Sequence, residues 1–80
     1  MITVYGSPSC VGCKTTMHLF ARKNVPVTYV DVTQDEQAMT MIQDRALSSL
    51  PVVLVTDDAG VEVSHWSGLR PDLINTVAAA

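Results

Sequence analysis

The chain has 80 residues, eight acidic and five basic, with a formal net charge of −3 and 48% apolar residues. A chain of this length has room for one modest core, removing about 60–65% of the unfolded surface from water, so residues 1–80 are expected to form a single domain. The acidic balance and the lack of a basic run leave nothing to attract nucleic acid, and no apolar run approaches membrane-spanning length.

Met1-Ile2-Thr3-Val4-Tyr5 lacks the basic segment and long apolar stretch of a signal peptide. A cytoplasmic monomer with no membrane partner is expected. The β-branched and aromatic residues at 2–5 predict a strand, and Gly6-Ser7-Pro8-Ser9 a loop. Cys10-Val11-Gly12-Cys13 follows. From 12 or 13 to 23 the spacing of Cys13, Met17, Phe20 and Ala21 predicts a helix burying that face, with Lys14, His18 and Arg22 opposite. Asn24 ends it, and Pro26 cannot extend it. The cysteine pair thus sits at a helix entry, where unpaired N–H groups and the helix dipole favour a thiolate. A free thiol pKa of about 8.5 can fall to roughly 3.5–7.5 in such settings.

Residues 27–32 predict a second strand. Thr33-Gln34-Asp35-Glu36 has the form of a capping box, with Thr33 as N-cap and Glu36 three residues later. The helix it starts is expected to run to about 47 and to bury Ala38, Ile42 and Ala46 or their neighbours. Pro51 opens a third strand over 52–56. Asp57-Asp58-Ala59-Gly60 is a hairpin tip, and 61–64 is the returning strand. Pro71 suits the first position of a last helix, which buries Leu73 or Ile74 together with Val77. The order β-α-β-α-β-β-α is that of an α/β protein. Its first βαβ unit requires parallel strands with a right-handed crossover, and its hairpin requires antiparallel ones. A mixed four-stranded sheet with helices on both faces meets both demands. Cys10 then lies in a loop at a strand's carboxyl end, where open α/β sheets place their sites.

Three segments carry a resemblance to a known family. Tyr5-Gly6-Ser7-Pro8-Ser9-Cys10-Val11-Gly12-Cys13 resembles a redox loop of the thioredoxin fold. Leu50-Pro51-Val52-Val53 resembles that fold's cis-proline segment. His65-Trp66-Ser67-Gly68-Leu69-Arg70-Pro71-Asp72 resembles the signature of the glutaredoxin-like NrdH-redoxins. The resemblance implies a small dithiol electron donor that reduces the large subunit of class Ib ribonucleotide reductase and is recharged by thioredoxin reductase. It implies little use of glutathione and no cofactor beyond a redox-active Cys10–Cys13 disulfide. A cis Leu50–Pro51 bond is expected beside Cys10. Val11, Gly12, Leu50, Pro51, Trp66, Ser67, Gly68 and Arg70 are the expected partner-facing residues. The chain departs from the family pattern at Gly12, where a glutamine is usual, and at Leu69, where a phenylalanine is usual. The alternative is a glutathione-dependent glutaredoxin, whose pocket typically includes a Gly-Gly-x-x-Asp segment; Ser67-Gly68-Leu69-Arg70-Pro71-Asp72 occupies that region here.

The residues themselves weigh against other uses of the cysteines. A bridge across two intervening residues restricts the unfolded chain little, which makes structural stapling a poor explanation. Zinc needs about four ligands, and beyond the cysteines only His18 and His65 are of the usual softer kind. Thiol–disulfide exchange needs one accessible thiolate and one sheltered partner. Cys10 at the helix entry fits the nucleophile, and Cys13, nearly one turn further in, the resolving thiol. Trp66 is also readable as a core or strand-end aromatic, and Arg70 as a surface charge near a helix start. His18 and His65 read as solvated or structurally hydrogen-bonded rather than catalytic, and Met17, Met39 and Met41 as core or core edge.

Overall fold

Burial alternates along Ile2–Gly6, which forms β1, with Ile2, Val4 and Gly6 turned to the more deeply buried side. The computed structural model describes residues 1–47 and 49–79. The remaining elements are α1 (Val11–Arg22), β2 (Thr28–Asp31), α2 (Glu36–Asp44), β3 (Val52–Thr56), β4 (Glu62–Ser67) and α3 (Pro71–Ala79). The sheet order is β2-β1-β3-β4. β1 is parallel to β2 and antiparallel to β3, and β3 is antiparallel to β4. This is the mixed sheet that the element order requires.

Two apolar layers sandwich the sheet. Ile2, Val4, Phe20, Val53, Trp66 and Ile74 form one, beneath α1 and α3. Val32, Ala38, Ile42 and Val52 form the other, beneath α2. Adjacent residues Val52 and Val53 serve opposite layers because successive strand side chains point to opposite faces. Phe20 and Ile74 are fully buried, each worth about 1.5–3 kcal/mol in apolar transfer. Met17, Met39 and Met41 lie at the edges of these layers.

Several boundaries differ from the sequence expectation. α1 begins at Val11, with Cys10 as its N-cap, and Asn24 beyond its end has φ +58°. The buried stripe is Cys13, Thr16 and Phe20, and Ala21 is exposed. Those three positions fall at i, i+3 and i+7, whereas Ala21 lies one further residue, about 100°, around the helix. The N-cap of α2 is Asp35, not Thr33, and its carboxylate accepts the Ala38 N–H at 3.0 Å. Thr33 is already engaged: its N–H and hydroxyl both donate to Asp31 Oδ1, at 2.9 and 2.6 Å. That local turn holds Thr33 out of the helix. α2 stops at Asp44, and Ala46 lies beyond it, exposed, with φ +57°. β4 extends past Ser64 to include His65, Trp66 and Ser67, since its pairing with β3 continues to Val52↔Ser67 after a register shift near Val55 and Thr56.

Candidate functional site

The register brings distant segments to one end of the sheet. Tyr5 lies opposite Val52, and Val52 opposite Ser67. Because β3 runs antiparallel to β1, its start meets the end of β1; because β4 runs antiparallel to β3, its end arrives there too. The loop after β1, the residues before β3 and those after β4 therefore share one edge, with Cys10 among them.

Cys10 and Cys13 are joined as a disulfide, with their Cα atoms 5.2 Å apart. The two sulfurs have different surroundings. Cys10 is half-buried, has extended backbone, and its Sγ accepts the Cys13 N–H at 3.0 Å as the N-cap of α1. Cys13 is 1% exposed. An N–H aimed at Cys10 Sγ, at the positive end of a helix, stabilises negative charge on that sulfur.

Several of the expected partner-facing residues gather around Gly12, between the two cysteines. A Cβ built on Gly12 would lie 3.4 Å from Pro51 Cδ, 3.7 Å from Leu69 Cβ and 3.9 Å from the Leu50 carbonyl oxygen. Gly12, Leu50, Pro51 and Leu69 thus form one continuous rim, and the Leu50–Pro51 bond is cis. Val11, 76% exposed, and Leu69, 41% exposed, present apolar surface to solvent. Ser67 and Gly68 brace the segment before β3. The Ser67 hydroxyl donates to the Ser49 carbonyl, and the Gly68 N–H donates to the Pro51 carbonyl at 2.8 Å. Gly68 has φ +87°, a conformation open to glycine at little cost.

Two expected contacts are placed elsewhere. Trp66 is 5% exposed and belongs to the layer beneath α1 and α3, so its ring is not offered to a partner in this structure. The strand period explains it: Trp66 pairs with Val53 and shares its inward face. Arg70 is exposed, and its Nε and Nη2 donate to the Asp72 carboxylate at 3.2 and 3.0 Å. That hydrogen-bonded pair holds the Asp72 carboxyl below the usual carboxylate range and raises Arg70 above the ordinary guanidinium value. Its reach is local, across the start of α3.

On the other side of Cys13 is a groove of about 440 Å³ lined by Ser7, Pro8, Cys13, Lys14, Met17 and Tyr29. Partial burial, with the nearby Asp31 charge, raises the Tyr29 phenol above its ordinary value. Two residues here escaped the sequence reading. Thr16 is fully buried on α1 although its type reads as surface. Gly6 packs directly beside Cys13, and the sequence placed it in the redox loop without singling it out. Among the described residues no group of three or more His, Cys, Asp or Glu side chains is arranged to hold a metal, and no helix is long and apolar enough to cross a membrane.

Comparison with known proteins agrees with this geometry. Residues 2–59 match the family model described as Glutaredoxin. The glutaredoxin-like protein NrdH of Escherichia coli (strain K12) is 29% identical over 79 residues, which cover 99% of this chain and 90% of that protein. The NrdH protein of Salmonella typhimurium is 31% identical over 74 residues, covering 92% of this chain and 84% of its own length. The solved structure of the Escherichia coli NrdH-redoxin superposes with a TM-score of 0.84 at 29% identity, covering 95% of this chain and 92% of that one. A cysteine pair bonded at a helix entry, in a sheet of this order and with relatives along nearly its whole length, places the chain in the glutaredoxin family, among the NrdH-redoxins, as a thiol–disulfide oxidoreductase.

Proposed function

We propose that this protein is a dithiol electron donor that takes electrons from thioredoxin reductase and delivers them to the large subunit of a class Ib ribonucleotide reductase. The observation that carries this reading is the likeness to NrdH proteins along nearly the whole chain. The asymmetry of the cysteine pair supports Cys10 as the sulfur that meets the partner: Cys10 Sγ is half-exposed at a helix N-terminus and receives the Cys13 N–H at 3.0 Å, while Cys13 is 1% exposed.

In the reduced protein the Cys10 thiolate attacks one sulfur of the partner's disulfide. A mixed disulfide forms, and the partner's other sulfur leaves as a thiolate and takes up a proton. Cys13 loses its proton and attacks Cys10 Sγ, which breaks the mixed disulfide and releases the second partner thiol. Two electrons have moved to the partner, and the Cys10–Cys13 disulfide remains for the reductase dithiol to reopen. The rim of Val11, Gly12, Leu50, Pro51 and Leu69 supports docking of an extended partner segment, which can pair its backbone with that of Leu50 as in strand addition. The electrons reside on sulfur throughout, so the reaction requires no further cofactor.

The test is NADPH consumption while the full chain reduces a disulfide substrate, with thioredoxin reductase as the electron source on one side and glutathione with its reductase on the other. Sustained turnover with thioredoxin reductase and slow turnover with glutathione is the expected result. Efficient glutathione-driven turnover with none from thioredoxin reductase would reassign the protein as a glutathione-dependent glutaredoxin.

A further inference from the structure

We propose that Gly6 is a positioning residue for the buried thiol, and that the space left by its missing side chain sets how readily the Cys10–Cys13 disulfide forms. The proposal rests on the reading of the pair as one that cycles between disulfide and dithiol. A Cβ at Gly6 would lie 2.7 Å from Cys13 Sγ, 2.9 Å from Cys13 Cβ and 3.1 Å from Tyr29 Cε2. Carbon and sulfur atoms in ordinary contact stand roughly 3.5–4.0 Å apart, so something must move if that carbon is added. Gly6 is not among the residues with positive φ; its role is space, not conformation.

The neighbours differ in their freedom to give way. Tyr29 is 40% exposed and can swing its ring outward. The backbone of Gly6 is held, since it pairs with Asp31 of β2 and its carbonyl accepts the Val32 N–H at 2.9 Å. Cys13 is 1% exposed, lies within α1, and carries a sulfur bonded to Cys10. In the dithiol that last restraint is absent, and rotation about the Cα–Cβ bond can carry the sulfur to another staggered position. In the disulfide it cannot. The Cys13 Cβ contact burdens both states alike, because that atom lies on the rotation axis, but the sulfur contact can be relieved only in the dithiol; an added methyl group at position 6 therefore costs the oxidised protein more than the reduced one, and the native glycine favours the disulfide.

The relevant equilibrium is exchange with glutathione. Two glutathione thiols give two electrons and two protons to the Cys10–Cys13 bond; that bond breaks, the glutathione disulfide bond forms, and the protein is left as its dithiol. Gly6→Ala shifts this equilibrium toward the dithiol. The experiment equilibrates the full native chain and Gly6→Ala with graded ratios of glutathione to glutathione disulfide, then counts free thiols by alkylation and mass. The variant is expected to be oxidised less readily by up to about tenfold, equivalent to a potential roughly 30 mV less negative. Its melting temperature should fall further in the oxidised form than in the reduced form. In a Cys13→Ala background, which lacks the sulfur, the loss on Gly6→Ala should be smaller than in the oxidised parent. A variant that folds only as the dithiol is the extreme of the same expectation. Equal potentials, equal melting losses in both states, or failure to fold in both states would make Gly6 a packing residue alone and overturn the proposal. No reductase enters this measurement, so its failure is separable from a failure of the proposed electron source.

Discussion

The two helix starts of this protein share one geometry and put it to different uses. At α1 the N-cap is Cys10, whose sulfur accepts the N–H of Cys13 at 3.0 Å; at α2 the N-cap is Asp35, whose carboxylate accepts the N–H of Ala38 at 3.0 Å. Asp35 is the kind of residue selected for helix stability, since a carboxylate satisfies an orphan N–H and complements the helix dipole. A sulfur in a disulfide is a weak acceptor, so α1 gives up much of that stabilisation. It regains it when Cys10 becomes a thiolate, because the cap then carries a negative charge. A cap that strengthens as the thiolate forms is a cap that promotes the reactive species.

Exchanging the two kinds of cap gives the largest expected effects. Cys10→Ser removes the nucleophile, and disulfide reduction should fall to background in the coupled NADPH assay. Serine is a strong N-cap, however, so the inert variant should be as stable as the reduced parent or more stable by up to about 1 kcal/mol in denaturant unfolding. Cys13→Ser should instead trap mixed disulfides visible by mass. If Cys13 rather than Cys10 were the first thiol alkylated in the reduced native chain at neutral pH, the assigned roles would have to be exchanged.

At the other helix start the pattern should invert. Asp35→Ala is expected to cost about 0.5–2 kcal/mol of stability with turnover by the thioredoxin reductase route unchanged. A large loss of turnover in that variant would show that the two helix starts are coupled.

The helix ends extend the comparison at lower amplitude. Beyond α1 the left-handed position is taken by Asn24, a residue that tolerates it, and beyond α2 by Ala46, which does not. Ala46→Gly relieves that conformation but adds freedom to the unfolded chain, leaving a net gain of about 0.5–1 kcal/mol. Asn24→Gly should change stability less. Unfolding midpoints of the two variants side by side check the difference.

The smallest expected effect is on pH dependence. Glu62 is held below the usual carboxylate range first by its hydrogen bond with Arg45, with His65 adding to it; its oxygens lie 2.7 Å from Arg45 Nη1 and 2.9 Å from His65 Nδ1. A carboxyl depressed on folding contributes its stabilisation above the unfolded pKa and loses it as pH falls through the folded value. Stability should therefore decline as pH falls below the ordinary glutamate value of about 4.3, and Glu62→Gln should flatten part of that decline. Exposed pairs of this kind are screened by salt, so an equally steep acid limb in the variant would leave the clamp without measurable weight.

The cysteine pair, the strand before it and the helix after it were legible in the sequence because each depends on neighbours along the chain: β-branched residues at 2–5, turn formers at 6–9, an apolar period from Cys13 to Phe20. The element order then restricted the sheet to a mixed one, and the motif around Trp66 pointed to the family. Contacts between segments far apart in sequence had no such local signal. Trp66 belongs to the core because the register of β4 on β3 carries its ring to the inward face, and register is set by pairing, not composition. Asp35 displaced Thr33 as the cap because Asp31 had already engaged Thr33. Gly6 matters because β1 and α1 meet with Cys13 between them. The sequence by itself determined where the cysteine pair sits and the order of the elements that hold it, since both follow from residue type and short-range spacing. The tertiary structure alone decided what brackets the sheltered sulfur and which of its two readings Trp66 takes, because close packing is a property of surfaces that touch only after the chain has folded.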